Sequence, residues 1–198
     1  MEKINKTVKL YDTDAYLKEF ESVVISCSEN EKGQFEAVLE ATAFFPEEGG
    51  QSCDKGTLNG CEVIKVTIND GVIYHILSEP IDAGTAVCGK IEFAHRYRNM
   101  QHHSGEHIVS GLVHKNFGYT NVGFHLGRGD MTMDYDGEFD GEKVEYIEKA
   151  ANKVIYENIE IIANYPETDS LENIQYRSKI DIKENVRLVT IGEYDICA

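Results

Sequence analysis

No apolar run in this 198-residue sequence is long enough to cross a membrane, and charged residues stand within its first few positions. We therefore expect neither a membrane partner nor a secretory signal peptide. Proline is scarce, with three residues, and the sequence shows no Pro-rich linker, low-complexity tract or internal repeat. Five cysteines, an odd number without tight spacing, argue against a disulfide framework and favour a reducing, cytoplasmic compartment.

Positive charge is also scarce, because 19 Lys and Arg face 35 Asp and Glu, for a net charge of −16. Taken alone, this balance argues against a nucleic-acid partner, since phosphate binding depends on Lys and Arg. The charge is unevenly distributed, however. Residues 90–129 carry 5 basic and 2 acidic residues and hold six of the seven histidines. We expect this segment to receive an anionic ligand while the remaining surface repels nonspecific polyanions.

Two histidines in that segment, His103 and His107, are four residues apart. Side chains at this spacing share one face of a helix, so the two imidazoles are placed to bind one metal ion. An apolar pattern continues from Ile108 to Phe117 and predicts a helix with one buried face, which Gly118 ends. The alternative interpretation is an ordinary helix with two surface histidines.

The first half of the chain predicts strands over residues 22–27, 34–45, 56–58, 62–68 and 72–77. Asn59-Gly60 and Asn69-Asp70-Gly71 are strong hairpin signals between them. Short strands at this spacing indicate a small antiparallel barrel or sandwich over residues 1–90. Hydrophobic residues form 41% of the chain, enough for a normal core, and its length suits one large or two small domains.

The second half changes character. Beyond the histidine helix we predict strands within residues 120–135, an amphipathic helix over 142–159, a shorter helix over 170–177 and a strand over 186–191. The fold class is therefore α+β, with a β domain over residues 1–90 and a mixed domain over 91–198.

Three stretches together resemble the alanyl-tRNA editing domain, which occurs in alanyl-tRNA synthetase and in freestanding editing proteins. They are residues 42–56 with Gly49-Gly50-Gln51, residues 100–107 with the histidine pair, and residues 186–195. The resemblance implies a small N-terminal antiparallel β-barrel, an α+β editing domain and a zinc-containing cleft. It further implies hydrolysis of mischarged Ser-tRNA(Ala), with Gly-tRNA(Ala) as a second candidate substrate, by an enzyme that binds the acceptor end of tRNA(Ala).

The resemblance also assigns roles to individual residues. Zinc would be held by His103 and His107, and His103 would share catalytic duty with Thr42 and Gln51, which fall where the family contacts the serine hydroxyl. A site built to bind a hydroxyl rejects an analogue that lacks it, because buried polar groups are then left unpaired. The candidate substrate-binding residues are Gly49, Gly50, Arg96 and Arg98. The two arginines would contact tRNA phosphate.

The sequence departs from the family at two places. The family takes its last two zinc ligands from a Cys-x-x-x-His motif, and our register places both beyond Ala198. We therefore expect the chain to be truncated at its C-terminus, without those ligands and any oligomerisation region that follows. Cys197 lies two positions before the expected cysteine and is a candidate substitute ligand. Glu48 stands where the family more often has a small residue.

Two alternatives from other classes remain. Residues 103–107 also match the inverted zinc-protease pattern His-x-x-Glu-His, in which Glu106 would be the general base. That interpretation does not explain the Gly-Gly-Gln stretch. The other alternative is a non-catalytic, tRNA-binding relic of an editing domain.

Overall fold

The computed structural model describes residues 6–126, 130–171, 173–178 and 186–197. The chain divides between residues 100 and 101 into two compact units. Within the described ranges, no helix combines the length and the apolar character needed to span a membrane.

The first unit is mostly antiparallel sheet. Its strands are β1 (Val8–Lys9), β2 (Glu19–Glu29), β3 (Phe35–Leu39), β4 (Ala41–Thr42), β5 (Gly56–Leu58), β6 (Cys61–Asn69), β7 (Val72–Leu77) and β8 (Ala86–Ile91). Six of them form a closed barrel in the order β2-β3-β7-β6-β5-β8. A short 3-10 helix, Leu10–Asp12, follows β1, and β1 pairs in parallel with β4.

Two tight turns set the register of the barrel hairpins. Asn59 and Gly60 have φ of 50° and 88°, and Asp70 and Gly71 have φ of 49° and 80°. Two consecutive positive φ values define the turn that matches the twist of antiparallel strands, and Asn, Asp and Gly tolerate them best. The two predicted hairpins are therefore confirmed.

The barrel interior is filled by large apolar side chains with almost no exposed surface, among them Leu39, Phe44, Leu58, Ile73 and Leu77. Strand β8 was not predicted, because its sequence alternates weakly and contains a glycine. The structure gives the reason for that glycine. A β-carbon on Gly89 would lie 2.2 Å from Cε1 of Phe20, so only glycine leaves room for the ring.

The second unit combines two longer helices with two small sheets. Its elements are α1 (Phe93–Phe117, which starts before the division), β9 (Asn121–Leu126), β10 (Met131–Tyr135), α2 (Gly141–Tyr156), β11 (Ile161–Asn164), α3 (Thr168–Leu171), β12 (Leu188–Ile191) and β13 (Asp195–Cys197). Strands β9 and β10 form a hairpin, and β11-β12-β13 form an antiparallel sheet. The predicted α+β class is confirmed.

Helix α2 starts where its sequence provides a cap. The side chain of Asp140 accepts a hydrogen bond from the backbone N of Lys143 at 2.8 Å, which satisfies one of the free N–H groups of the first turn. Its buried face carries Ile147 and Val154. The predicted helix over 142–159 is therefore confirmed, although it ends at Tyr156.

The helix predicted over 170–177 is wrong in extent. Helix α3 ends at Leu171, and residues 174–176 are not helical. The backbone N of Arg177 instead donates to the carbonyl of Ile196 at 2.8 Å, which draws this segment toward β13. Residue 172 of that prediction, and residues 127–129 of the predicted strand region 120–135, lie outside the described residues.

Candidate functional site

The two histidines of the 103–107 motif stack on one face of α1. The ring centroids of His103 and His107 are 4.9 Å apart, and the ring planes differ by 19°. The predicted placement of the two imidazoles on one helix face is confirmed. His103 is exposed, whereas His107 is half-buried.

Strand β13 brings two further polar groups to His107. The Nδ1 atom of His107 lies 3.1 Å from Oδ2 of Asp195, and the ligand atoms of His107, Asp195 and Cys197 all lie within 4.8 Å of one another. Gly111, one helical turn after His107, permits this approach. A β-carbon there would lie 2.4 Å from the carbonyl oxygen of Tyr194.

Asp195 is itself held by an arginine. Nε of Arg177 donates to Oδ1 at 2.7 Å, and Nη2 donates to Oδ2 at 2.8 Å. The side chain of Asp195 is 2% exposed. Burial alone would raise the pKa of Asp195, but the hydrogen bonds from His107 and Arg177 outweigh burial and lower it. The carboxylate is therefore charged and doubly anchored.

The same contacts alter His107. Burial alone would lower its pKa, but hydrogen bonds with Asp195 and Cys197, together with the negative charge of Glu106, raise it to about 9. A metal that binds this imidazole has to displace a proton, so metal binding is expected to strengthen as pH rises.

The donor set fits zinc. Imidazole nitrogen and cysteine sulfur are the ligand types that zinc prefers in proteins, and His107 and Cys197 supply one of each within the group described above. His103 offers a second imidazole on the same helix face as His107.

Glu106, the residue before His107 on helix α1, belongs to a buried polar network. Oε1 of Glu106, which is 6% exposed, accepts from Oγ of Ser110 at 2.7 Å and from Nδ2 of Asn121 at 2.8 Å. Ser110 also contacts the hydroxyl of Tyr135 at 3.0 Å. Oε2 of Glu106 lies 3.9 Å from Nε2 of His107. The network links α1 to both strands of the β9–β10 hairpin.

In the first unit, Thr42 is part of a buried hydrogen-bonded chain. Its Oγ1 lies 2.9 Å from Nε2 of His75, and Nδ1 of His75 lies 3.2 Å from the carbonyl oxygen of Ala37. Because a carbonyl only accepts, Nδ1 carries the proton, and the Thr42 hydroxyl donates to Nε2. The backbone N of Phe44 donates to the same hydroxyl at 3.1 Å.

His75 stays neutral in this chain. It has no exposed surface, and burial lowers its pKa to about 4. Thr42 also has no exposed surface. Its hydroxyl oxygen retains one lone pair after these two hydrogen bonds.

The Gly-Gly-Gln stretch forms a tight turn. Glu48 and Gln51 pair through both backbone hydrogen bonds, at 3.3 and 3.0 Å. Gly49 and Gly50 occupy the turn with φ of 62° and 80°, a conformation that side chains disfavour. Both glycines are exposed, and Gln51 is 7% exposed.

The two candidate arginines differ sharply. Arg96 is 3% exposed, and its guanidinium forms an ion pair with Asp54 while donating to the carbonyl oxygens of Ala15 and Ala43. It is thus fully engaged inside the barrel unit, which favours a structural role over the predicted phosphate contact. Arg98 is exposed.

Sequence reasoning missed four residues that the structure brings to these positions: Asp54, His75, Arg177 and Asp195. Each is joined to its partner over a long stretch of chain, as with His107 and Asp195, so no local spacing marks them. The one local signal was His75 in the apolar strand β7, because a polar side chain inside a barrel needs a hydrogen-bond partner.

The chain is similar over most of its length to two alanyl-tRNA editing proteins and to part of an alanine–tRNA ligase. It is 30% identical over 197 residues to alanyl-tRNA editing protein AlaX-L of Pyrococcus horikoshii, covering 95% of this chain and 48% of that protein. It is 31% identical over 198 residues to alanyl-tRNA editing protein Aarsd1 of Bos taurus, covering 92% and 45%. The alanine–tRNA ligase of Haloquadratum walsbyi is 32% identical over 200 residues, covering 95% and 22%. No family model matches the chain.

The resemblance predicted from the three motifs is therefore confirmed. The chain is a relative of the alanyl-tRNA editing proteins, and a stretch of alanine–tRNA ligase shares that relationship. It spans about half the length of the editing proteins it matches.

Proposed function

We propose that the chain hydrolyses the ester bond of mischarged tRNA(Ala), with Ser-tRNA(Ala) as the main substrate and Gly-tRNA(Ala) as a second. The observation that carries the proposal is similarity over about 95% of the chain to alanyl-tRNA editing proteins. The chemistry is undemanding, because an aminoacyl ester is already an activated acyl group. A positioned water and stabilisation of the developing oxyanion are sufficient to cleave it.

We propose that His103 and His107 hold zinc, with Cys197 as a third ligand. Three protein ligands and one open position are typical of catalytic zinc. Bound zinc supplies a Lewis acid that polarises a carbonyl or lowers the pKa of bound water to about 7. His103, the exposed member of the pair, is the ligand that faces solvent and approaching substrate.

We propose that Thr42 and Gln51 select the amino acid. The Thr42 hydroxyl donates to His75 and accepts from the backbone N of Phe44, so a substrate hydroxyl can only donate to it. Serine has such a donor and alanine has none, which makes the contact discriminating. Because Thr42 is fully buried, the contact requires displacement of the atoms that cover it. The turn at Gly49 and Gly50 leaves its backbone open to substrate.

We propose the acceptor end of tRNA(Ala) as the partner, with Arg98 as a phosphate contact, since it is exposed within the one segment of positive net charge. Few phosphates are neutralised by so small a surplus of charge, so binding should weaken only gently with salt. The two domains, residues 1–90 and 91–198, and the cytoplasmic location stay predictions from sequence.

The test is deacylation of Ser-tRNA(Ala), Gly-tRNA(Ala) and Ala-tRNA(Ala) by the chain supplied with zinc. We expect hydrolysis of the first two and protection of the third. Thr42→Val and Gln51→Ala should reduce the preference for serine, and His107→Ala should abolish hydrolysis. His114→Ala, an exposed position on the same helix, is the control and should match the wild type. Thermal melts identify any variant that acts through unfolding. Peptide cleavage without deacylation would overturn the proposal.

The zinc-protease alternative receives no support from the site. A general base needs a carboxylate that reaches a water, whereas Glu106 is buried and its Oε1 accepts hydrogen bonds from Ser110 and Asn121. These contacts favour a structural role for Glu106.

A further inference from the structure

We propose that Asp195 is a positioning residue for the metal site and not a metal ligand. Held by Arg177, it accepts the Nδ1–H of His107 and thereby presents Nε2 of that imidazole to the metal. The inference deepens the proposed function, because it rests on His107 being a zinc ligand.

The hydrogen bonds of Asp195 already occupy both of its oxygens. Oδ1 accepts from Nε of Arg177, and Oδ2 accepts from Nη2 of Arg177 and from Nδ1 of His107. Paired N–H donors in a fork are among the strongest and most directional contacts that a carboxylate makes. A metal on Oδ2 would have to displace one of its two hydrogen bonds, and a metal on Oδ1 would lie beside the guanidinium of Arg177, whose positive charge repels a cation.

The contact also determines which nitrogen of His107 is available. A neutral imidazole has one N–H and one lone pair, and the atom that carries the proton is set by its hydrogen-bond partner. Since a carboxylate only accepts, the proton resides on Nδ1 and the lone pair on Nε2. This is the arrangement in which a carboxylate orients a metal-binding histidine from behind.

The backbone around Asp195 fixes this geometry. The backbone N of Arg177 donates to the carbonyl of Ile196, the residue after Asp195, so Arg177 is held to β13 by its main chain and to Asp195 by its side chain. Gly111 lets the chain at Asp195 lie against α1, with only 2.9 Å between an ideal β-carbon and Cβ of Asp195. The backbone contacts and the two hydrogen bonds from Arg177 therefore hold the carboxylate against Nδ1 of His107.

The first measurement is zinc affinity by competition with a chromophoric chelator. Removal of an outer carboxylate of this kind typically weakens metal binding 10–100-fold, and we expect about that loss for Asp195→Ala. Asp195→Asn keeps the side-chain volume and one acceptor, so it should lose less. Glu193→Ala, which removes an exposed carboxylate from the same turn, is the matched control and should bind zinc like the wild type. His107→Ala defines the effect of losing a ligand.

Two outcomes would overturn the inference. A loss in Asp195→Ala as large as that in His107→Ala would make Asp195 a ligand, and an unchanged affinity would make it irrelevant to the metal. A second measurement needs no variant of Asp195. In the zinc-loaded wild type with ¹⁵N-labelled histidine, the His107 signal should show a protonated Nδ1 and a metal-bound Nε2, and coordination through Nδ1 would equally refute the proposal.

These readouts separate the inference from the proposed function. A chain that binds zinc in this way but does not deacylate tRNA refutes the function alone. A chain that deacylates, while Asp195→Ala retains full zinc affinity, refutes the inference alone.

Discussion

The buried histidine of the barrel should make the protein sensitive to acid. His75 is neutral in the folded state because burial lowers its pKa from 6.5 to about 4. As the pH falls below 6.5, the unfolded chain binds a proton at this position while the folded chain does not. The free energy of unfolding therefore falls as the pH drops from 6.5 to about 4, and it is fully retained above 6.5.

The size of the effect follows from the shift. One pKa unit corresponds to ~1.4 kcal/mol, so a fall from 6.5 to about 4 implies a loss of about 3 kcal/mol across this window. No discount for solvent is needed, because His75 has no exposed surface. His107 does not interfere, since its raised pKa gives stability that is fully present below 6.5 and is lost only as the pH rises toward about 9.

The assay is equilibrium urea unfolding at a series of pH values between 4 and 7.5. Carboxylates titrate in the same range, so the informative quantity is the difference between wild type and His75→Gln, which removes the titrating group and keeps an acceptor for Thr42. That difference should change by about 3 kcal/mol between pH 6.5 and 4. His125→Gln, at an exposed position, is the control and should follow the wild type. Parallel curves for wild type and His75→Gln would refute the argument.

Two further predictions concern stability. Asp54→Asn should destabilise the protein by ~3–5 kcal/mol, because it leaves the buried guanidinium of Arg96 uncompensated. Glu19→Gln, at an exposed ion pair, is the control and should change the free energy of unfolding by less than ~1 kcal/mol. Equal effects of the two substitutions in urea unfolding would contradict the burial argument. Gly105→Ala should stabilise helix α1 by ~0.5–1 kcal/mol, since the nearest atom to the new methyl lies 3.6 Å away, while Gly111→Ala should destabilise the protein by ~1–3 kcal/mol because its methyl meets backbone at 2.4 Å. Thermal melts should therefore give a higher melting temperature for Gly105→Ala and a lower one for Gly111→Ala. A higher melting temperature for both variants would contradict the close backbone contact at Gly111.

Local features of this chain were predictable, and long-range ones were not. Asn59-Gly60 predicts a hairpin turn because few other residues tolerate two positive φ values in succession. The His103–His107 stack follows from helical spacing alone. In contrast, strand β8 was missed because it contains Gly89. The reason for that glycine is the space that the ring of Phe20 needs, which is a property of packing between strands far apart in sequence.

The candidate site shows the same division. The histidine pair and the Gly-Gly-Gln turn are encoded within a few residues. The arrangement of Asp195 and Arg177 around His107 depends on the path of β13 past Gly111, which no local pattern reveals. The burial of Arg96 is likewise a consequence of where Asp54 lies in the folded barrel.

The pairing of the first and last barrel strands has a consequence for biosynthesis. Glu19 of β2 pairs with Lys90 of β8, whereas β6 and β7 are joined by a two-residue turn. The β6–β7 hairpin can therefore form while the chain is still being synthesised, but the ring closes only after residue 90 has emerged from the ribosome. Contacts between residues so far apart in sequence slow folding. Until then, β2 and β5 present unpaired backbone edges, so the nascent barrel is exposed to mispairing for as long as its last strand is missing.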